Sequence, residues 1–204
     1  MIVSTTPDAT ELRRELLDLI CAKGYQAGDF TLSSGQKSSY YINCKPITLD
    51  ARGALLVGKL LLAQLPPATV AVAGLTLGAD PIVTAVSVVS AYERPQHPYS
   101  ALIVRKEAKG HGTRTYIEGP LLPPGTQVAV LEDVVTTGQS ALKAVQRLRE
   151  AGYQVNDVLA LVDRQQGGAD LYRESGLQFA ALFTIAEVQE RQRHLDSKPA
   201  AAID

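Results

Sequence analysis

Between Thr126 and Gln146 the chain reads TQVAVLEDVVTTGQSALKAVQ. The groups there that can do chemistry are two acids, Glu132 and Asp133, followed by the hydroxyl-rich run Thr136-Thr137-Gly138-Gln139-Ser140. Ahead of the acids, Val128-Ala129-Val130-Leu131 is a short apolar run of the kind that forms a buried parallel strand, so the strand is expected to end at the acids. Behind them, Leu142, Val145 and Leu148 fall at helical spacing between Ala141 and Glu150, with Gly152 as a stop. The order strand, acid pair, small loop, helix puts free backbone N–H groups and the positive end of a helix dipole just past a strand end. That is a site for a phosphate dianion. Carboxylates repel such an anion, so the acids must face a hydroxyl-bearing group or a cation beside it, and a ribose 5-phosphate meets both demands. The G-x-x-x-x-G-K-[ST] signature is missing and no G-x-G-x-x-G follows a strand, which leaves out the usual nucleoside triphosphate and dinucleotide cradles. An ordinary strand-to-helix turn would explain a lone T-x-G, but paired acids after an apolar run are costly unless they are used.

Three other places carry chemistry. The run Arg105-Lys106-Glu107-Ala108-Lys109-Gly110-His111-Gly112-Thr113-Arg114 holds several cations and a single acid, between the strand-like segments Ala101 to Val104 and Thr115 to Glu118. It is expected to be a mobile hairpin lid that closes on an anion; a solvated charged loop is the alternative. Asp163-Arg164 follows the apolar run from Val155 to Val162, again functional groups at a strand end. Tyr40 and Tyr41 are adjacent, so in a strand they point to opposite faces: one can be core while the other stacks on a ligand ring, or both can be sheet packing.

These residues need elements to hold them. Asp8-Ala9-Thr10-Glu11 has the pattern of a capping box, and Leu12, Leu16, Leu19 and Ile20 make one apolar stripe before Gly24. Phe30 to Lys45 alternates on both sides of Ser33-Ser34-Gly35-Gln36, which suggests a hairpin. Asp50 can cap a helix over Ala51 to Gln64 with Leu55, Leu56, Val57, Leu60, Leu61 and Leu62 buried, stopped by Pro66-Pro67. Thr69 to Ala73 is a strand, and Gly74 to Ala79 is a flexible turn. Asp80-Pro81 is then an N-cap followed by Pro at the first helical position, a second anion site beside the first. Gln178 to Phe183 is the last strand, and Thr184 opens a helix ending near His194. The alternation gives an α/β fold: a parallel sheet flanked by helices, with function at the carboxyl ends of the strands. We divide a single domain into an N-terminal hood (1–48), a core (49–195) and a tail (196–204).

The chain has 204 residues, 46% of them hydrophobic, enough for one sizeable core. A net charge of -1 without a dense basic run gives no footprint for nucleic acid. No basic-then-apolar leader occurs and no apolar run approaches the ~20 residues that span a bilayer, so a cytoplasmic protein without a membrane partner is expected. Cys21 and Cys44 are the only cysteines and form no C-x-x-C, which suggests neither disulfides nor zinc.

The stretch from Val128 to Ser140, with its apolar run, acid pair, two apolar residues and T-[TS]-G-x-[ST], resembles the phosphoribosyl diphosphate motif of the type I phosphoribosyltransferases. Further segments resemble the orotate-using branch of that family. Arg105-Lys106-Glu107-Ala108-Lys109-x-His111-Gly112 matches its catalytic loop. Phe30-Thr31-Leu32-x-Ser34-Gly35 with Ser38-x-Tyr40-Tyr41 matches its hood, and Asp163-Arg164 its D-R after the following strand. Two departures stand out: some members have lysines where this chain has Ser33 and Leu77.

The resemblance implies transfer of the phosphoribosyl group of phosphoribosyl diphosphate to orotate, giving orotidine 5-monophosphate and diphosphate, with Mg2+. It implies that Lys109, His111 and Asp133 are catalytic, and that Arg105, Lys106, Lys109, His111, Glu132, Asp133, Val134, Val135, Thr136, Thr137, Gly138, Gln139 and Ser140 bind phosphoribosyl diphosphate. Thr136, Arg164, Tyr40 and Tyr41 would bind orotate, Arg164 taking the carboxylate in its planar fork. His111 would deliver either a proton or a hydrogen bond to the diphosphate. Mg2+ would be held mainly by the substrate. The family's homodimer, with lid residues shared across the interface, is implied as well. A purine or other-base phosphoribosyltransferase would need neither the lid sequence nor Arg164. A regulator that senses phosphoribosyl diphosphate would be expected to show a basic face.

Overall fold

The computed structural model describes residues 8–31, 35, 37–108 and 116–197. In chain order the elements are α1 (Ala9–Lys23), β1 (Tyr25–Thr31), β2 (Lys37–Ile42), α2 (Lys45–Thr48), α3 (Ala51–Gln64), β3 (Ala71–Leu75), α4 (Asp80–Glu93), β4 (Ser100–Val104) and β5 (Ile117–Glu118). They continue with β6 (Val128–Val135), α5 (Gln139–Glu150), β7 (Asp157–Asp163), α6 (Gly168–Glu174), β8 (Gln178–Thr184) and α7 (Ile185–Asp196). Six strands form one sheet in the order β5-β4-β3-β6-β7-β8, parallel except for the two-residue edge strand β5. β1 and β2 form a separate antiparallel pair, Tyr25 opposite Ile42 and Phe30 opposite Ser38, with a bulge between Ala27 and Phe30.

Strand alternation divides the buried residues into two cores. Val72, Ala129, Leu131, Leu159 and Leu161 face one side, where they meet Leu16 and Ile20 of α1, Leu56 and Leu61 of α3 and Ile82 and Val86 of α4. Ala71, Ala73, Val128, Val130, Val158 and Ala160 face the other, against Ala144, Val145 and Leu148 of α5 and Tyr172 of α6. Each fully buried Leu or Val contributes roughly 1.5 to 3 kcal/mol. This is why strands covered on both faces show continuous apolar runs rather than alternation.

Several sequence expectations are met and several are corrected. Asp50 caps α3, its carboxylate accepting from the Arg52 and Gly53 N–H groups at 3.0 Å each. Asp8 makes no such side-chain bond at α1; the box forms instead at α7, where Thr184 and Glu187 cap each other. Gly24 follows α1 with negative φ, so left-handed freedom does not explain it. A Cβ there would meet Ile47 Cδ1 at 2.7 Å and the Asn43 carbonyl at 2.9 Å. Leu55 lies exposed on α3, not in its buried face. Gly74 and Leu75 belong to β3 rather than to the turn. α6 was not foreseen. The hairpin residues 32–34 and 36, the lid tip 109–115 and the tail from 198 lie outside the described residues.

Candidate active site

β6 does not end at the acids; it runs through Glu132 and Asp133 to Val135. The reason is one-sided pairing. β3 stays beside β6 only as far as Ala73 opposite Val130, while β7 continues, Glu132 opposite Ala160 and Val135 opposite Asp163. The acids therefore stand where the sheet has split on one side. Connections turn one way from β3 to β4 and the other way from β6 to β7, so the split is a topological switch point, where open α/β sheets bind ligands.

The two carboxylates meet at the open edge of β6, where both line one cleft and a hydrogen bond joins their side chains, yet their surroundings differ. Glu132 is only 6% exposed, and its Oε2 has no hydrogen-bond partner among the described residues. Burial, and then the neighbouring Asp133 charge, push its carboxyl well above the usual carboxylate range. Asp133 turns toward α2, with Lys45 Nζ at 4.0 Å from its Oδ2. Its Oδ1 accepts the Val134 N–H at 2.9 Å. Gly78 must be a glycine for this carboxylate to fit, because a Cβ there would stand 2.6 Å from Asp133 Oδ1. Lys45 was not among the residues singled out from the sequence, and Gly78 was read only as part of the turn from Gly74 to Ala79; both come from segments distant from the acids.

After Val135 the chain turns through Thr136, Thr137 and Gly138, the last with φ of 82°, and enters α5 at Gln139. Val134 to Ser140 enclose a polar hollow of about 80 Å3 with Glu132 and Tyr172. N–H groups at the start of α5 and its dipole suit an anion. The floor was not expected. Tyr172 is fully buried, with its ring 3.0 Å from where a Gly138 Cβ would be and its hydroxyl unpartnered among the described residues. Burial and the nearby Glu132 and Asp163 raise the pKa of that hydroxyl. Gly168 admits α6 to this position, since a Cβ there would lie 2.3 Å from Val135 Cγ1.

The second anion site is altered. Ala79, not Asp80, caps α4, and Asp80 is its first residue, accepting from Thr76 Oγ1 at 2.7 Å. A carboxylate at that helix start competes with any incoming anion. The Thr76–Leu77 peptide is cis.

Arg105 and Lys106 follow β4. Arg105 Nη1 pairs with Glu118 at 2.9 Å. Lys106 lines a cleft of about 260 Å3 with Lys45, Gly78, Glu132, Asp133 and Ser140. Lys109 and His111 lie outside the described residues. Arg164 follows β7, is nearly buried, and its N–H donates to the Val135 carbonyl at 2.9 Å, directly beside the phosphate loop. Its Nε donates to the Tyr40 hydroxyl at 3.0 Å, and its guanidinium carbon lies 4.8 Å from the Tyr40 ring centroid. The structure thus brings Tyr40 to Arg164. Tyr41 is 43% exposed and packs on Phe30, their centroids 5.7 Å apart. Among the described residues no group of three or more His, Cys, Asp or Glu is arranged to hold a metal, and no helix is long and apolar enough to cross a membrane.

No family model matches the chain. Orotate phosphoribosyltransferase from Nostoc sp. is 66% identical over 190 residues, 93% of this chain and 91% of that protein. The Synechocystis sp. enzyme is 62% identical over 188 residues, 92% and 94% respectively. Among solved structures, Mycobacterium tuberculosis orotate phosphoribosyltransferase in complex with Fe(III) dicitrate is 38% identical with a TM-score of 0.74, covering 87% of this chain and 98% of that one. Its complex with 5-phospho-alpha-D-ribosyl 1-diphosphate is 35% identical with a TM-score of 0.71, covering 87% and 99%. An acid pair at the sheet's switch point, a phosphate loop and a buried arginine after the next strand thus occur in a chain with relatives of one name along almost its whole length: it belongs to the orotate phosphoribosyltransferase family.

Proposed function

We propose that the cleft between β3 and β6 transfers the 5-phosphoribosyl group of phosphoribosyl diphosphate to orotate, with Lys109 and His111 brought to it by the lid. One observation carries this reading: the acid pair, the loop at the start of α5 and Arg164 adjoin one another at two neighbouring strand ends, with the Arg164 N–H donating to Val135, the last residue before the loop. The Mycobacterium tuberculosis relative bound to phosphoribosyl diphosphate supports the same substrate here.

In this reading Thr136 to Ser140 hold the 5-phosphate through N–H groups, Val134 and Val135 line its pocket, and Glu132 and Asp133 face the ribose hydroxyls. The bond from ribose carbon 1 to the diphosphate oxygen breaks with its electron pair leaving on oxygen, and a ring nitrogen of orotate takes the carbon. The state between is oxocarbenium-like, so catalysis needs neutralisation of the departing charge more than a strong base. Arg105, Lys106 and Lys109 supply that charge, and His111 gives the diphosphate a proton or a hydrogen bond. Lid closure keeps water from the cation-like carbon. Arg164 and Tyr40, with Thr136, form the orotate side, and Tyr41 is the outer tyrosine of the hood. Mg2+ fits the donor set: Glu132 and Asp133 offer hard oxygens without a protein cage, which suits a cation that takes most of its ligands from a diphosphate, and when bound it supplies further charge neutralisation.

A homodimer belongs to the same proposal. Leu49 and Leu77 are 72% and 70% exposed and, with Leu55 and Val88, line an apolar groove that also contains Lys45 and Asp80 at the edge of the cleft. An apolar face of this kind on a small enzyme suits a partner subunit. Cytoplasmic residence agrees with two free, buried cysteines. The single domain with hood, core and tail stays our division of the chain. Orotate consumption, followed by ultraviolet absorbance, should require both phosphoribosyl diphosphate and Mg2+; consumption without either would overturn the reading.

A further inference from the structure

Arg147 lies on α5, two turns beyond the phosphate loop, beside the buried residues Ala144, Val145 and Leu148. Its guanidinium reaches the base of the β4–β5 hairpin at three points. Nη1 donates to the carbonyl of Arg105, and Nη2 donates to that of Lys106 at 3.0 Å. The guanidinium carbon lies 3.9 Å from the centroid of the Tyr116 ring. Arg105 and Tyr116 are themselves joined, the Arg105 N–H donating to the Tyr116 carbonyl at 2.7 Å. One side chain therefore holds both legs of the hairpin stem against the helix that begins at the phosphate loop.

Lys106 is the residue on that stem whose side chain lines the cleft beside Glu132, Asp133 and Ser140, and its charge is felt at Glu132. Gripping the carbonyls of the two peptides that flank Lys106, against a ring, fixes the planes of both and so the direction in which Lys106 leaves the backbone. Only a planar, forked donor can bond two carbonyls and stack at once; an ammonium group has the charge without the fork. The grip also gathers three cations, Arg105, Lys106 and Arg147, into one corner, with Glu118 paired to the first. Such crowding is costly until an anion arrives.

We propose that Arg147 is a positioning residue that acts through Lys106, presenting its ammonium group over the acid pair for phosphoribosyl diphosphate. The proposal rests on the reading of Lys106 as a contact of that substrate, and a double-mutant cycle separates the two. Loss of the charge-assisted grip in Arg147→Met should raise KM for phosphoribosyl diphosphate about tenfold. KM for orotate should stay within about twofold, and Arg147→Lys should fail to restore the first value. In a Lys106→Ala background, Arg147→Met should add less than about twofold, because its route of action is already gone. The same fold-loss in both backgrounds, equal losses for both substrates, or full function in Arg147→Lys would overturn the proposal. Lys106→Ala with an unchanged KM for phosphoribosyl diphosphate would remove the underlying reading too. If thermal melts show that Arg147→Met does not fold, the same cycle run with Arg147→Lys decides the matter.

Discussion

Two acids adjacent in sequence are made different by burial and by the groups that surround them. Asp133 faces a cation, Lys45, across an open cleft; Glu132 faces a polar hollow, with one oxygen unpartnered among the described residues. The sequence points to both acids as candidate site residues, but not to their different surroundings, because Lys45 and Tyr172 arrive from remote segments. Glu132 has a stability consequence whose sign can be worked out. Its folded pKa is raised, chiefly by burial. The folded state therefore keeps a proton that the unfolded chain releases near pH 4.3, so stability falls as pH rises from about that value through the folded pKa. Glu132→Gln cannot titrate and should escape that loss. It should melt higher than the native chain at pH 8, with little difference at pH 4 to 5, each 1 kcal/mol being worth roughly 2 to 4 °C in a domain of this size. Its use of phosphoribosyl diphosphate should fall. Calorimetric melts at the two pH values test this, and a gain of equal size at both would mean that titration is not the cause.

At the scale of elements, the strand-loop-helix order around Gly138 and the Asp163-Arg164 step at the end of β7 were legible, because each is a short-range pattern of apolar run, punctuation and periodicity. The length of β6 was not. Acids look like the end of a buried strand, and only the three-dimensional fact that β7 continues while β3 stops lets β6 carry them. α6 escaped for the opposite reason: seven residues give too few turns to show a period, yet it supplies the ring under the phosphate loop. β7 and β6 place Arg164 and the loop side by side but on different strand ends, and this separation predicts selectivity. Arg164→Ala removes the guanidinium bonded to Tyr40 while its backbone N–H still reaches Val135. Orotate affinity should drop at least tenfold, by about the worth of one charged hydrogen bond, and affinity for phosphoribosyl diphosphate should change less than about twofold. Titration calorimetry of each ligand distinguishes this from a structural role, which would weaken both equally.

The whole molecule raises the question of what stands behind the lid. β5 is only two residues long and lies at the sheet edge, and Arg147 holds the hairpin stem beside it at Arg105, Lys106 and Tyr116. The apolar groove of Leu49, Leu55, Leu77 and Val88 adjoins the same cleft and wants a cover. A two-fold dimer answers that need if each lid lies across the interface and Lys109 serves the neighbouring site. Mixing inactive Lys109→Ala with inactive Asp133→Asn and allowing subunits to exchange then has a definite outcome. Random pairing makes half the dimers mixed. In each mixed dimer one site has both native residues and the other has both lesions, so roughly one quarter of native activity should return. If Lys109 acts within its own subunit, every site keeps a lesion whatever the pairing. Activity that stays at the level of the separate variants, once exchange has been confirmed by mass spectrometry of the mixed dimers, would place the lid back over its own cleft.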